Sequence, residues 1–191
     1  LRLARSFDSD ADEAERALRL VLTPAAKYWV CKRLPHAMAE AMEVTGGAGY
    51  VEEGPFGRLF RESALNSIWE GSGNVMCLDV LRALARGPQA RDALAHEWQA
   101  ACGVHAAFDG AVAELLAWLQ RAPQAQDEAL ARHLTERIAL LTQASLLIRH
   151  APQAVADGFC AARLAGGWRG TFGSLTLPQA RALIDRALVE T

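Results

Sequence analysis

One carboxylate in this chain lies between apolar residues and glycines, in the stretch SIWEGSGN at residues 67–74. The Ile-Trp pair before Glu70 and the Val-Met pair after the stretch predict a partly apolar setting. Such a setting raises a carboxylate's pKa and makes it a stronger base toward a carbon acid. Gly71 and Gly73 remove side chains where another molecule could approach. The alternative, which the octapeptide alone favours, is a capping acid followed by a tight turn.

The segment after this stretch, VMCLDVLRAL, has the apolar spacing of a helix, and we expect that helix to run from about Ser72 to Arg86. The first turn of a helix has free N–H groups that can bind a phosphate or an oxyanion. The carboxylate and a possible anion site are therefore neighbours in sequence.

A second glycine-rich motif, EVTGGAGY, occupies residues 43–50. It is not a G-x-G-x-x-G sequence after a strand, so it does not indicate a Rossmann dinucleotide site. A Gly-Gly-x-Gly turn after a helix can still present successive N–H groups to an anion. On its own, however, it is better explained as a long turn between helices.

Taken together, the two motifs resemble the C-terminal helical domain of the acyl-CoA dehydrogenase flavoproteins, and most of all the AidB-type, or alkylation-response, branch. The marks are GGAGY at residues 46–50, the pairs Arg58-Leu59 and Arg61-Glu62, and WEGSGN at residues 69–74. LTPAAKYWVCKR upstream fits the same branch. The strong resemblance covers residues 1–84, and the later helices fit the branch's C-terminal extension more loosely.

The resemblance implies a role for each motif residue. Glu70 is implied to be the base that removes the α-proton of an acyl-CoA thioester while the β-hydride passes to flavin N5, and Gly71 to lie against the substrate. The other implied contacts are with FAD. They are Ser72, Gly73 and Asn74 on the adenosine-diphosphate portion, and Glu43, Gly46 and Gly47 on the FAD of a neighbouring subunit in a homotetramer.

Two substitutions and one absence limit what the resemblance implies. Most of the family has Gln at the position of Glu43 and Asp at that of Glu62. Both changes fit the AidB-type branch, in which dehydrogenase turnover is weak or its substrate unknown. Glu43 would repel a pyrophosphate unless an Arg intervened. The family's N-terminal helical domain and middle β-domain are absent, so we expect this chain alone neither to hold FAD nor to be active.

The remaining sequence predicts helices throughout and no strand. Thr23-Pro24 reads as the start of a helix, Pro35 as a kink or break, and Gly46-Gly47 as its end. Gly87-Pro88 marks a change in composition, and the helices expected after it are rich in Ala and Leu. We therefore predict an all-α helical bundle with extra C-terminal helices, divided into a family-like domain at residues 1–86 and an extension at 87–191.

Composition excludes several classes of protein. The chain has 191 residues, of which 51% are hydrophobic and 22% charged, and its formal net charge is −2. These values favour a globular protein and argue against a bulk preference for nucleic acid or an anionic membrane. The cysteines Cys31, Cys77, Cys102 and Cys160 lack the spacing of a metal site and are expected to be reduced core residues of a cytoplasmic protein.

Two other functions are considered beside the flavoprotein. DNA binding would need a basic face, and the extension has ten arginines against ten acidic residues between positions 86 and 191. The candidate arginines for such a face are Arg132, Arg137, Arg149, Arg163, Arg169, Arg181 and Arg186. A scaffold for oligomerisation is the other alternative. Trp98, Trp118 and Trp168 fit either a core or an interface, with the core favoured.

Overall fold

The computed structural model describes residues 2–8, 12–121, 128–166 and 172–188. Across these ranges the regular structure is helical and no strand occurs, which confirms the all-α prediction. The α-helices are α1 Arg2–Arg5, α2 Glu13–Val44, α3 Gly47–Tyr50, α4 Phe56–Ser63, α5 Gly73–Ala85, α6 Gln89–Gln99, α7 Ala106–Arg121, α8 Ala131–His150, α9 Gln153–Arg163 and α10 Leu177–Ala187. Short 3-10 helices lie at Leu65–Ser67 and Glu128–Leu130. Within the same ranges, no helix has both the length and the apolar character needed to cross a membrane.

Helix α2 begins where the sequence supplies an acceptor for its first amides. The Asp12 side chain accepts a hydrogen bond from the Glu15 N–H at 2.8 Å, and the acidic first turn complements the helix dipole. The helix ends at Val44, and Gly46 then takes a φ of +62°, a conformation that glycine adopts without steric cost. The predicted end at Gly46-Gly47 is therefore confirmed.

Residues 23–24 do not begin a helix and Pro35 does not break one, because α2 continues through both prolines. The prediction of a helix start at Thr23-Pro24 is therefore wrong, and so is that of a break at Pro35. A kink at Pro35 stays a prediction. A proline inside a helix costs about 3 kcal/mol. Burial opposes that cost, since Leu18, Val21 and Ala25 on the same helix are at most 2% exposed. Full burial of one large aliphatic side chain contributes about 1.5–3 kcal/mol, so tertiary packing outweighs the local signal.

The chain divides into two compact units. The first comprises residues 1–90 and 124–139, and the second comprises residues 91–123 and 140–191. Helix α8 contributes its first part to one unit and its second part to the other. The division into domains at residues 1–86 and 87–191 stays a prediction.

In the first unit, α2 packs against α5, α4 and α3. Helix α5 has the bounds expected from sequence, with Ser72 before it and Arg86 after it. Its Cys77 and Val80 are fully buried. Helix α5, which follows directly after the Glu70 turn, is thus packed on α2 by its own apolar face.

The second unit has a core built around Trp98. This side chain is 0% exposed, and its Nε1–H donates a hydrogen bond to the Thr142 Oγ1 at 3.1 Å. The core prediction is confirmed for Trp98, whereas Trp118 is half-buried and Trp168 lies outside the described residues. The helical spacing of Val112, Leu115, Leu116 and Leu119 predicts one buried face of α7, and all of these are buried except Leu116, which is half-buried. On α8 the same spacing predicts burial of Leu134, Ile138 and Leu141, and all three are buried, the first two in the first unit.

The cysteines follow the expectation in part. All four thiols are free. Cys77 and Cys160 are buried, Cys31 is half-buried, and Cys102 is exposed, so the core prediction is wrong for Cys102. Burial raises the pKa of Cys160 to about 11, which keeps that thiol protonated and unreactive near neutral pH.

The glycine-rich segment between α2 and α4 is not a plain loop, because four of its residues form α3. Gly49 makes this turn of helix possible. A methyl group on Gly49 would clash with the Met42 carbonyl oxygen and the Thr45 Oγ1, both fixed at the end of α2. A methyl group on Gly47 would meet no heavy atom within 4 Å. The two glycines therefore differ in how much substitution they tolerate.

We expect Gly49→Ala to destabilise the first unit by about 1–3 kcal/mol, the usual cost of overpacking. Gly47→Ala is the matched control, and it should change stability by less than about 0.5 kcal/mol. Thermal unfolding of the intact protein measures both. Equal melting temperatures for the two variants would contradict the packing argument.

An ion pair with a buried carboxylate leads to a second prediction. The Glu97 side chain is 5% exposed and pairs with the Arg149 guanidinium. We expect Arg149→Met to lower stability by on the order of 3 kcal/mol, because a buried carboxylate loses its cationic partner. Arg181→Met removes an exposed pair with Asp185 and should cost less than about 1 kcal/mol. Denaturant unfolding at pH 7 compares the two, and similar costs would count against the prediction.

Candidate active site

Glu70 lies in a turn with an unusual backbone conformation. Its φ is +50°, and it is the one non-glycine residue with positive φ in the described part of the chain. Gly71 follows with a φ of +101°, and α5 begins at Gly73. The Glu70 side chain is exposed, as are its neighbours Ile68 and Trp69, at 65% and 54%. The carboxylate is therefore presented outward from a strained turn.

Lys27, on helix α2, holds this turn. Its Nζ donates hydrogen bonds to the Trp69 carbonyl oxygen at 2.7 Å and to the Gly71 carbonyl oxygen at 2.5 Å. These two carbonyls stand on either side of Glu70 in the chain. A single ammonium group thus links both flanks of the carboxylate-bearing residue to α2.

The N-terminus of α5 is open at its first turn. Ser72 precedes the helix in an extended conformation, and its side chain makes no capping hydrogen bond. Gly73 is buried against α2, and a methyl group there would lie 2.6 Å from the Lys32 Cε and 3.5 Å from the Tyr28 ring. Glycine is therefore required at this position unless the lysine side chain moves.

Asn74 contacts a residue from the later part of the chain. Its Oδ1 accepts a hydrogen bond from the Arg132 Nε of α8 at 3.4 Å. The charges of Arg132 and Lys32 also affect the pKa of the nearby Cys77 thiol. Burial raises the pKa of Cys77, while the Thr135 hydrogen bond and the positive charges of Arg132 and Lys32 act in the opposite direction. Two cations therefore lie close to the start of α5.

A cleft of about 490 Å³ opens beside Glu70, wholly within the first unit. Part of its wall is apolar, formed by Phe7, Leu20, Pro24, Met76 and Ala83. Its basic residues are Arg19, Lys27, Arg82 and Arg86, and its acidic residues are Glu70 and Asp79, of which Asp79 pairs with Arg82. A cleft of this composition suits a molecule with both an apolar and an anionic part.

The Gly-Gly turn lies at the other end of α2. Glu43 is exposed there, and the N–H of Gly46 donates to the Glu43 carbonyl oxygen at 2.9 Å. The N–H groups of Thr45 and Gly49 also bond within the turn. These three amides are therefore not available to a ligand. Methyl groups on Gly46 and Gly47 would meet no heavy atom within 4 Å, so the turn faces open space.

The structure brings together Glu70, Gly71 and the α5 N-terminus, but not the Gly-Gly turn. Lys27 contacts the Glu70 turn, and Glu43 stands sixteen residues further along the same helix. At 1.5 Å per residue this separation is about 24 Å. The two motifs of one chain therefore belong to two separate places.

The arginines between the motifs are held by carboxylates of the chain. Arg61 makes a bidentate pair with Glu52 at 2.8 and 3.0 Å, and Arg58 donates to Glu62 at 2.9 Å. The hydrogen bond from Arg61 lowers the pKa of Glu52. These pairs tie α4 to itself and to the loop before it.

Lys27, Lys32 and Arg132 were not predicted from the sequence as parts of this site. One signal for two of them was present, because the chain has twenty basic residues and only Lys27 and Lys32 are lysines. Both contact the stretch between residues 69 and 73. No local pattern points to Arg132, which lies 58 residues from Asn74.

Comparison with known proteins gives this arrangement its family. Residues 2–85 match the family model described as "Acyl-CoA dehydrogenase, C-terminal domain". These residues belong to the acyl-CoA dehydrogenase family. The matched residues include α2 to α5 and both glycine-rich motifs.

Three matches extend the comparison. The AidB protein of Escherichia coli strain K12 is 42% identical over 159 residues, which cover 83% of this chain and 29% of AidB. Acyl-CoA dehydrogenase family member 11 of Caenorhabditis elegans is 28% identical and is covered to 27% of its length. The crystal structure of C. elegans ACDH-11 in complex with C11-CoA has a TM-score of 0.77 at 23% identity, covering 97% of this chain and 36% of that one. This last likeness shows the same helical fold.

The chain thus spans less than a third of the length of either curated relative. The alignment with AidB is longer than the segment that matches the family's C-terminal domain. Similarity to AidB therefore extends into the helices that follow the family domain.

Gly71 generates a prediction about the turn. A methyl group there would clash with the Met76 Cε and would also force a φ of +101° on a residue with a side chain. We expect Gly71→Ala to destabilise the protein by about 1–3 kcal/mol. Gly103→Ala is the matched control, because Gly103 has a φ of +88° and open space around it.

The difference between these two variants in thermal unfolding isolates the clash with Met76. A second substitution, Met76→Ala, in the Gly71→Ala background should recover only that part of the loss. Equal losses for Gly71→Ala and Gly103→Ala would show that backbone strain alone accounts for the effect.

Proposed function

We propose that this chain is the C-terminal part of an FAD-dependent acyl-CoA dehydrogenase-like protein in which Glu70 removes the α-proton of an acyl-CoA thioester. The observation that carries the proposal is the placement of Glu70, whose exposed carboxylate stands on a strained turn beside a cleft with apolar and basic walls. Membership of the family supplies the reaction type. An acyl-CoA ligand is named for ACDH-11, which supports the same ligand class here.

Each residue of the SIWEGSGN stretch has a part in this proposal. Gly71 follows the base with a φ of +101°, which glycine adopts without steric cost, and it is proposed to lie against the substrate. The exposure of Ile68 and Trp69 supports a turn that is covered once the whole protein assembles around it. Removal of bulk water in that assembly would favour proton transfer from carbon to the Glu70 carboxylate.

The residues at the start of α5 fit the anionic part of FAD. The Ser72 side chain makes no capping hydrogen bond to the first turn, and Lys32 and Arg132 place two positive charges near it. Ser72, Gly73 and Asn74 would hold the adenosine-diphosphate portion there. The chemistry supplied by bound FAD is acceptance of the hydride equivalent from the substrate β-carbon.

Glu43, Gly46 and Gly47 are proposed to contact the FAD of a neighbouring subunit in a homotetramer. The separation of about 24 Å along α2 supports two different flavins for the two motifs. The open space beside Gly46 and Gly47 would admit another subunit's cofactor. The Glu43 carboxylate would need a cation from elsewhere, because Arg58 and Arg61 are paired with Glu62 and Glu52.

The wider setting of the whole protein has two parts. A role in the alkylation-damage response is supported by the identity with AidB and by no contact in this structure. A cytoplasmic location is supported by four free thiols. Both belong to the proposal for the whole protein.

The alternative of DNA binding gains no support from the arginines considered for it. Arg149 pairs with the buried Glu97, and Arg181 pairs with Asp185 on the same helix. Arg132 hydrogen-bonds Asn74 in the first unit, and Arg169 lies outside the described residues. No described contact favours a purely structural scaffold over the flavoprotein.

Substitution of the base tests the proposal directly. The intact protein is purified with its flavin, mixed with C11-CoA in the absence of oxygen, and followed by bleaching of the flavin absorbance. We expect Glu70→Gln to retain flavin and to slow bleaching by about 10²–10⁴-fold, the usual contribution of a general base.

The matched control is Glu53→Gln, which neutralises an exposed carboxylate of the same unit and should bleach at the wild-type rate. Bleaching of Glu70→Gln at that rate would remove Glu70 as the base. A wild-type protein that binds no flavin would remove the flavoprotein assignment as well.

A further inference from the structure

The two hydrogen bonds from Lys27 define the conformation in which Glu70 is held. The Nζ lies 2.7 Å from the carbonyl oxygen before Glu70 and 2.5 Å from the one after it. For one donor to reach both, these carbonyls must point toward the same side of the turn. The Glu70 residue between them is then confined to a narrow range of backbone angles.

That range is one which a glutamate does not adopt readily. A φ of +50° places a side chain in the left-handed region, where the Cβ crowds the following carbonyl. Such strain persists when surrounding contacts over-determine the conformation, and it concentrates at functional sites. The hydrogen bonds to the Trp69 and Gly71 carbonyls are contacts of this kind.

Helix α2 makes Lys27 a rigid support. Ala25 is 0% exposed and Tyr28 is 9% exposed, so the backbone on both sides of Lys27 is fixed in the core. The lysine itself is half-buried and lines the same cleft as Glu70. Its ammonium group therefore has little freedom to release the turn without breaking both hydrogen bonds.

Glu70 has no hydrogen bond or ion pair that fixes its carboxylate directly within the described residues. Its side-chain direction depends on the backbone, and the backbone depends on Lys27. A shift in either flanking carbonyl would move the carboxylate relative to a bound thioester. Misplacement by about 1 Å can cost up to roughly 100-fold in rate.

We propose that Lys27 is a positioning residue for Glu70: its ammonium group, held by α2, fixes the carbonyls of Trp69 and Gly71 and so aims the carboxylate at the substrate α-carbon. This inference rests on the proposed function of Glu70 as base. Lys27 acts through Glu70 and does not exchange a proton with the substrate.

The test compares three forms of the intact, flavin-bound protein. Lys27→Met removes the donors and keeps much of the side-chain length, whereas Lys27→Arg keeps cationic donors. At saturating C11-CoA we expect Lys27→Met to slow flavin bleaching roughly 10- to 100-fold. The half-saturating concentration of C11-CoA should change less than about twofold, because the base is misaimed in a site that still binds. Lys27→Arg should restore most of the rate.

Arg181→Met is the control for loss of a cation, because it removes an exposed side chain of the second unit. It should bleach at the wild-type rate. A fall in affinity for C11-CoA with an unchanged maximal rate in Lys27→Met would overturn the positioning role.

A second measurement does not depend on turnover. Amide hydrogen exchange, followed by mass spectrometry, should show faster exchange at residues 69–73 in Lys27→Met, with residues 80–85 of α5 unchanged. Unchanged exchange at residues 69–73 would show that Lys27 does not hold the turn. If Lys27→Met does not fold, Lys27→Gln replaces it, because the shorter amide side chain cannot donate to both carbonyls.

The results also separate this inference from the proposed function. A slow Glu70→Gln variant beside a Lys27→Met variant of wild-type rate would sink the role of Lys27 and leave Glu70 as the base. A Glu70→Gln variant of wild-type rate would sink both roles in catalysis. In that case the exchange measurement would still decide whether Lys27 holds the turn.

Discussion

The close approach of α5 to α2 is the contact on which the candidate site depends. A glycine stands at position 73, where the first turn of α5 lies against the Tyr28 ring and the Lys32 side chain, and a larger residue would have to displace the lysine. The buried Cys77 and Val80 continue the same contact along α5. With α5 fixed in this way, the turn that precedes it falls within reach of Lys27. The carboxylate, the helix N-terminus and the cleft are thus consequences of one helix–helix interface.

The buried part of α2 explains why this helix tolerates Pro24. Each proline removes an amide donor and strains the preceding turn. The buried side chains around Pro24 belong to one continuous core, so a break there would expose apolar surface on both sides. An unbroken helix also sets the distance between its two functional ends. The local sequence favours a helix boundary at Thr23-Pro24, but the packing of the first unit keeps α2 continuous there.

Much of the fold could be predicted from sequence, and particular residues show where the prediction fails. Helical spacing and the Gly-Ser-Gly boundary correctly gave α5, because those signals are local. The Glu70 turn was identified as a place for chemistry, but its positive φ was not, since glutamate has no intrinsic preference for that conformation. Lys27 lies 42 residues from the first carbonyl it binds, and such contacts leave no trace in periodicity. Pro24 was misjudged for a similar reason, because its tolerance depends on burial in the core.

The sharing of α8 between the two units has a consequence for protein engineering. Residues 124–139 lie in the first unit, and Thr135, Arg132 and Glu136 act there on Cys77 and Tyr28. A truncation made at the end of the family match, after residue 85, would remove all of these groups. Domain exchange with another member of the family would likewise have to transfer this part of α8 together with α2 and α5. The first unit is therefore built from two separate segments of the chain.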